Sequence, residues 1–253
     1  MKKKIPLVSI VVNCFNGEKF LKKSINSIIN QTYKNWEIIF WDNNSTDNSS
    51  VEIKSFKDKR IKYFKSSKFN TLYKSRNLAI KRTKGDLICF LDTDDLWKKN
   101  KLKDQVHIMK KRKFDVLYSN YLIKNENLNY IKKRNIRNIE CKTQNLLNDY
   151  SLGILTAMVK KDIFKKNLFS PNYEIIGDFD FFINLSLKFK FGYSPKVLAV
   201  YRVHQNNFSL KKTHLYISEF NHWISKNRKK FKNYSFFKIR LFILKLKIKN
   251  FFL

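Results

Sequence analysis

Three largely apolar runs in this 253-residue chain each stop on a polar side chain: LVSIVV on Asn13, WEIIFW on Asp42 and LICFL on Asp92. A carboxylate directly after a buried strand is held rigidly and points into the crevice beyond the sheet, where it can serve as a ligand or an acceptor. One such residue alone is an ordinary strand terminator; three in one chain suggest a shared site. The last is followed by Thr93, Asp94 and Asp95, and the cluster DTDD gathers negative charge whose mutual repulsion is costly unless a cation binds. Hard oxygen donors suit Mg2+ or Mn2+, ions that keep positions for phosphate oxygens. The same acids would also complement the dipole at a helix start.

The elements that must position these residues are legible as alternating strand and helix patterns. Leu7–Val12, Trp36–Trp41, Ile61–Lys65, Leu87–Leu91 and Val116–Ser119 read as strands. Leu21, Ile25, Ile28 and Ile29 mark one helix face; Ser45–Phe56, Leu72–Thr83 and the segment around Leu102, Val106 and Met109 read as further helices, with Gly85 stopping the third as a C′ glycine would. Such alternation predicts an α/β fold with a mainly parallel sheet covered on both faces. Residues 120–150 have weak periodicity and are expected to be a loop or an irregular strand pair. Thr156–Lys160 and Leu198–Val203 read as strands, Asp178–Phe191 as a helix. With no internal repeat and no linker rich in Pro, Gly or Ser, the expected organisation is one domain over 1–210 and a tail over 211–253.

Charge is the compositional anomaly. Lys and Arg number 53 against 20 acids, a formal net charge of +33. The excess attracts polyanions, whether nucleic acid, anionic lipid or a phosphorylated substrate, although an abundance of Lys, Asn, Ile and Phe also has the look of a genome-wide bias. The lysines form no recognisable reading helix, zinc module or RNA-binding sheet motif, so no nucleic-acid partner is expected. Residues 211–253 hold twelve Lys and Arg against one acid, Glu219, and end in SFFKIRLFILKLKIKNFFL. That mixture suits a membrane surface, and equally a helix packed on its own domain. No run approaches a membrane span, and Leu7–Val12 is too short for a signal sequence. Cys14, Cys89 and Cys141 lack metal spacing and pairing in number, consistent with reduced thiols in the cytosol.

Two stretches, VSIVVNCFNGEKFLKKSINSIINQTYKNWEIIFWDNNSTDNS and SRNLAIKRTKGDLICFLDTDDLW, resemble family 2 glycosyltransferases with the GT-A fold. The resemblance is strong from residue 7 to about 110 and resumes at GDFDFF (177–182) and YRVHQNNFS (201–209). It implies an inverting transferase that uses a nucleotide sugar, expected to be UDP-linked, to extend a surface glycan on a lipid-linked acceptor, docked by its basic charge on the anionic cytoplasmic leaflet. Asn13, Phe15 and Asn16 would line the nucleotide wall, with Glu18 opening the helix behind it. Asp42 would accept from the uracil imide, or else cap the next helix; Arg76 would hold the diphosphate; Asp92, with Thr93 beside it, would contact the ribose.

By the same resemblance Asp94 and His204 would hold Mn2+ or Mg2+, and Asp178 would be the general base, with Asp180 a close competitor. Both acids also suit a helix N-terminus. The sequence departs from the family pattern twice: Asn13 stands where Pro is usual, and Gly177 where Glu often precedes the base. The second departure keeps open a catalytically inactive, transferase-like membrane tether; the charge keeps open a basic nucleic-acid-binding protein.

Overall fold

A computed structural model describes residues 5–125, 130–135, 141–205, 207 and 212–251. The first strands and helices alternate as β1 (Val8–Cys14), α1 (Glu18–Ile29), β2 (Trp36–Asp42), α2 (Ser49–Ser55), β3 (Ile61–Lys65), α3 (Leu72–Ile80) and β4 (Leu87–Phe90). Next come β5 (Leu96–Trp97), α4 (Lys101–Arg112), β6 (Val116–Asn125), β7 (Tyr130–Arg134), α5 (Thr143–Asn148) and β8 (Met158–Lys160). The chain closes with α6 (Gly177–Ser186), β9 (Phe191–Val203), α7 (Thr213–Asn227) and α8 (Phe237–Phe251).

Among the described residues the strands join one sheet in the order β3-β2-β1-β4-β8-β6-β9-β5, with β7 also on β6. The pairs β3·β2, β2·β1, β1·β4 and β6·β9 are parallel, while β8, β5 and β7 pair antiparallel with their neighbours. Alternation along each buried strand divides the core in two. Val11, Ile39, Trp41, Ile88 and Phe90 face the layer that holds α3 and α6. Ile10, Val12, Ile38, Phe40 and Cys89 face the layer that holds α1 and α4. A parallel strand buried on both faces reads as an unbroken apolar run, which is why these strands were plain in the sequence.

The differences from sequence expectation have local causes. β6 runs on to Asn125 and pairs with β7, the strand-pair alternative for residues 120–150, and the solvent-facing residues of β7 allow the Lys content that blurs the pattern. The helix expected from Ser45 starts at Ser49, because residues 45–48 are tied to the β1–α1 loop. Helix α6 ends at Ser186 and β9 begins at Phe191, where a single longer helix was expected. Gly85 is not a left-handed helix cap: α3 ends at Ile80 and no glycine has a positive φ. A Cβ at Gly85 would sit 2.6 Å from the Leu7 carbonyl and the Ser9 amide, so this glycine permits close approach to β1.

Among the described residues beyond 210, several apolar side chains are packed into the molecule. Phe220, Trp223, Ile224, Phe231, Ile239 and Ile243 belong to the same core as α3 and α6. No helix among the described residues is long and apolar enough to cross a membrane. Cys14 and Cys89 are buried free thiols and Cys141 is a partly buried one.

Candidate active site

The carboxyl ends of β1, β2 and β4 lie side by side, since Cys14 is in register with Asp42 and Val11 with Phe90. Two loops lock together there. The Asn16 side-chain oxygen accepts from the Thr46 amide at 2.9 Å, and the Ser45 hydroxyl accepts from the Asn16 amide at 3.1 Å. Asn16 holds a φ of 51°, a left-handed conformation that Asn tolerates better than most residues. Glu18 accepts from the Asn48 amide at 2.6 Å while Asp47 accepts from the Glu18 amide at 3.0 Å, so each carboxylate caps the neighbouring helix. Glu18 thus fixes the loop that carries Asn13, Phe15 and Asn16. Asn13 is 8% exposed, and its amide nitrogen has no hydrogen-bond partner. Phe15 and Phe69 are both exposed and meet edge to face with centroids 4.7 Å apart, an apolar rim beside this loop.

Asp42 is fully buried. It accepts from the Ser45 amide at 2.8 Å and from the Tyr63 hydroxyl at 2.8 Å. Burial, and then the Asp42 charge, push the Tyr63 hydroxyl well above its ordinary range, so it stays a donor. Asp42 thus braces the loop at Ser45 and does not cap α2, which starts at Ser49, and Tyr63 is a partner that sequence spacing did not suggest.

Each acid of the DTDD cluster has a different partner, while the repulsion among them persists. Asp92 pairs with Arg76 at 2.9 Å. Arg76 itself is 2% exposed, enclosed by the rings of Tyr73, Phe90 and Phe169 at 5.4, 5.8 and 5.5 Å. The guanidinium expected to hold a diphosphate is enclosed and ion-paired with Asp92. Asp95 is turned inward and accepts from the Arg202 amide at 3.0 Å; burial, then the charges of Asp94 and Asp92, hold its carboxyl well above the usual range. Thr93 packs under the β1–α1 loop: a Cβ on Gly17 would be 2.7 Å from its hydroxyl.

Asp94 faces His204. Their Oδ2 and Nε2 atoms are 3.2 Å apart, and the Asn207 amide nitrogen is 3.1 Å from the same oxygen. Phe20 stacks on the His204 ring with centroids 4.4 Å apart, and also receives the Arg202 guanidinium at 4.8 Å. Arg202 donates from Nε to the Asp94 carbonyl, so it braces the acidic loop from behind. Burial, then the Asp92 charge, raise the Asp94 pKa, the condition in which a carboxylate gains most from a cation. Among the described residues no group of three His, Cys, Asp or Glu stands close enough to hold an ion alone. One carboxylate and one imidazole fit a divalent ion, Mn2+ or Mg2+, whose remaining positions would be completed by substrate phosphate.

Asp178 lies at the first turn of α6. Its Oδ1 accepts from the Phe179 amide at 2.8 Å and is 3.5 Å from the Tyr73 hydroxyl. The side chain is half-buried, and burial raises its pKa to about 6 against the opposing pull of the Phe179 amide and Arg76. Arg76 and Asp92 are therefore electrostatic neighbours, which ties this acid to the DTDD loop. Asp180 points elsewhere: it accepts from the Trp223 indole and the Asn184 amide, each at 2.8 Å. Gly177 has a steric reason. A Cβ there would fall 2.4–2.7 Å from three atoms of the Tyr73 ring.

Sequence reasoning missed Tyr63, Tyr73, Phe20, Arg202 and Asn207. The last two lie within YRVHQNN and carried a signal in their closeness to His204; the aromatic residues act through contacts 21 to 184 residues away in sequence, which no local spacing reveals.

The family model described as glycosyl transferase family 2 matches residues 9–170. The chain is 33% identical over 181 residues, 72% of its length and 69% of the relative's, to the UDP-Glc:alpha-D-GlcNAc-diphosphoundecaprenol beta-1,3-glucosyltransferase WfgD of Escherichia coli. S. aureus TarS in complex with UDP-GlcNAc superposes with TM-score 0.71 at 19% identity, covering 86% of this chain and 66% of that one. The mannosyltransferase PcManGT of Pyrobaculum calidifontis, in complex with GDP-Man and Mn2+, superposes with TM-score 0.68 at 14% identity, covering 89% and 65%. The chain thus spans about two thirds of the length of each.

Proposed function

The chain belongs to glycosyltransferase family 2 and has the GT-A fold, and from that premise we propose that this glycosyltransferase is an inverting one, moving a sugar from a UDP-sugar to a hydroxyl of a lipid-linked glycan. The observation that carries the reading is Asp178: a half-buried carboxyl with a pKa near 6, electrostatically coupled to the Arg76–Asp92 pair at the strand ends. A base in this range is ionised at neutral pH and still basic enough to take a proton in the transition state.

Asp178 removes the proton from the acceptor hydroxyl as that oxygen attacks the anomeric carbon from the face opposite the diphosphate. The new C–O bond forms as the bond to the diphosphate breaks, and the nucleoside diphosphate leaves with the electron pair. Asp94 and His204 would hold a divalent ion, which supplies neutralisation of the charge growing on the leaving group. Asn13, Phe15 and Asn16 form the wall for the base, and Asp92, held by Arg76, is set to accept from the ribose. Glu18 and Asp42 support this wall from within. UDP is favoured as the nucleotide because WfgD is named for UDP-Glc and TarS was determined with UDP-GlcNAc; WfgD's diphosphoundecaprenol acceptor supports the lipid-linked class.

The proposed place of action is the anionic inner face of the cytoplasmic membrane. Helix α8 turns Ile239 and Ile243 into the core and leaves Phe237, Phe242, Leu244 and Ile248 exposed among Lys238, Arg240, Lys245 and Lys247. Beside it, Arg228, Lys232 and Arg240 line a groove of about 400 Å³ with Phe231, Phe236 and Phe237. Apolar side chains that insert, flanked by cations that meet lipid phosphate, are the chemistry of an interfacial helix.

Calorimetry with UDP, with and without Mn2+, followed by turnover on a panel of nucleotide sugars, tests the enzyme reading. Metal-dependent UDP binding together with loss of transfer in Asp178→Asn is expected. Transfer by Asp178→Asn at the wild-type rate rejects the base assignment. Failure to bind any nucleoside diphosphate rejects the donor class.

A further inference from the structure

Glu219 is the one acid among residues 211–253, and it is spent on a backbone 43 to 45 residues away. Its Oε1 accepts from the Glu174 amide at 2.6 Å, and its Oε2 accepts from the Ile175 and Ile176 amides at 3.1 and 3.0 Å. Those three successive N–H groups immediately precede α6, the last belonging to its N-cap residue Ile176, and a carboxylate there is also favoured by the helix dipole. The same loop is gripped from its other side. The Tyr73 hydroxyl donates to the Ile175 carbonyl at 2.7 Å, while its ring fills the space beside Gly177. The peptide joining Ile175 to Ile176 is thus held at its carbonyl by α3 and at its N–H by α7, two residues ahead of Asp178.

We infer that Glu219 is a positioning residue for transfer, fixing through the 174–176 backbone the direction in which Asp178 projects. The inference rests on the reading of Asp178 as base. Charge-assisted bonds from three adjacent amides to one carboxylate define both the path and the rotation of the loop, more than a single cap does. Helix α7 is therefore part of the catalytic scaffold, because the residue that sets the base belongs to it. Asp180 adds a separate tie to the same helix through Trp223, so docking of α7 and aim of Asp178 can be perturbed independently.

The experiment compares Glu219→Ala, Glu219→Gln and Trp223→Phe in the full chain, using the nucleotide sugar that the donor panel selects. Glu219→Ala should lower kcat by on the order of tenfold to a hundredfold, the scale set by small misplacement of a reacting group. UDP affinity and donor KM should stay unchanged, and the Ile175 and Ile176 amides should lose protection from hydrogen exchange. Glu219→Gln keeps one accepting oxygen and should recover part of kcat; if the alanine variant does not fold, the glutamine variant against wild type decides. Trp223→Phe should lower the melting temperature and leave kcat close to wild type.

Wild-type kcat in Glu219→Ala, or in Glu219→Gln should only that variant fold, overturns the inference. So does a kcat loss that is matched by weaker UDP binding, or one that Trp223→Phe reproduces, since either means general disruption. If Asp178→Asn transfers normally, the base reading itself has failed and this inference falls with it. If Asp178→Asn is inactive while Glu219→Ala is unimpaired, only the positioning role fails.

Discussion

Replacing Asp178 by Asn should stabilise the folded protein while abolishing transfer. Burial raises this carboxyl from an ordinary 3.8 to about 6, which means that the folded state resists ionising it. Between these two values the folded state binds more protons than the unfolded chain, so its stability falls as pH rises from about 4 to about 6 and is then level. At about 1.4 kcal/mol per pH unit, the ceiling of the penalty above pH 6 is about 3 kcal/mol. The side chain is half-buried, and solvent screening brings the expectation down to ~1–2 kcal/mol. Asparagine has nearly the same shape, and its oxygen can still accept from the Phe179 amide, so the substitution removes charge and little else. Chemical denaturation of wild type and Asp178→Asn near pH 4 and near pH 8 reads the difference. The variant should gain ~1–2 kcal/mol near pH 8 and almost nothing near pH 4. A variant that is less stable near pH 8, or whose gain is the same at both, refutes the claim that burial sets this pKa.

Four further expectations follow from the geometry. The wild-type kcat should rise through an acid limb near pH 6 as Asp178 ionises, and a limb below pH 5 under saturating donor speaks against it. Asp94→Ala and His204→Ala should each abolish the Mn2+-dependent part of UDP affinity and leave metal-free binding unchanged, as calorimetry would register. Gly177→Ala should cost ~1–3 kcal/mol in denaturant melts through overlap with the Tyr73 ring, and a double-mutant cycle with Tyr73→Ala should give a clear coupling energy; strict additivity counts against the contact. Lys245→Glu with Lys247→Glu should weaken flotation with anionic vesicles by about 1 kcal/mol per charge, and high salt should do the same, whereas equal binding to neutral vesicles opposes the membrane reading.

Legibility in the sequence followed burial. The runs LVSIVV, WEIIFW and LICFL are buried on both faces, and their position in the sheet matched the reading to within two residues at each end. Of the two alternatives for residues 120–150, a loop or an irregular strand pair, the structure has the pair at residues 121–125 and 130–134; its half-buried and solvent-facing positions are free to be Lys and Asn, which weakened the signal. Within the site, the acids were visible as types but not as partners. The sequence could not send Asp95 inward to Arg202 or Arg76 beneath Asp92, since both depend on where β9 and α3 pack. The pair Asp178 and Asp180 was in principle separable: residues two apart on a helix lie roughly 200° around it, so one acid facing the crevice leaves the other facing away. Glu219 had no local signal. Its partners are backbone amides, which every sequence has.

The Gly177 departure weakens one argument for an inactive chain. A glutamate in its place would bring a second carboxyl beside Asp178, and a like charge at that distance raises a pKa. With glycine there, burial acts against only the Phe179 amide and Arg76, opposed in turn by the weaker influence of Asp92, and the balance falls near 6. The space left by the missing side chain is taken by Tyr73, whose hydroxyl holds the loop carbonyl. The substitution therefore exchanges a charge for a brace, and Asp178, the proposed base, stays within the range useful at neutral pH. The backbone just ahead of it is held by α3 on one side and by Glu219 of α7 on the other. A basic tail that served only to find a membrane would have no use for that carboxylate.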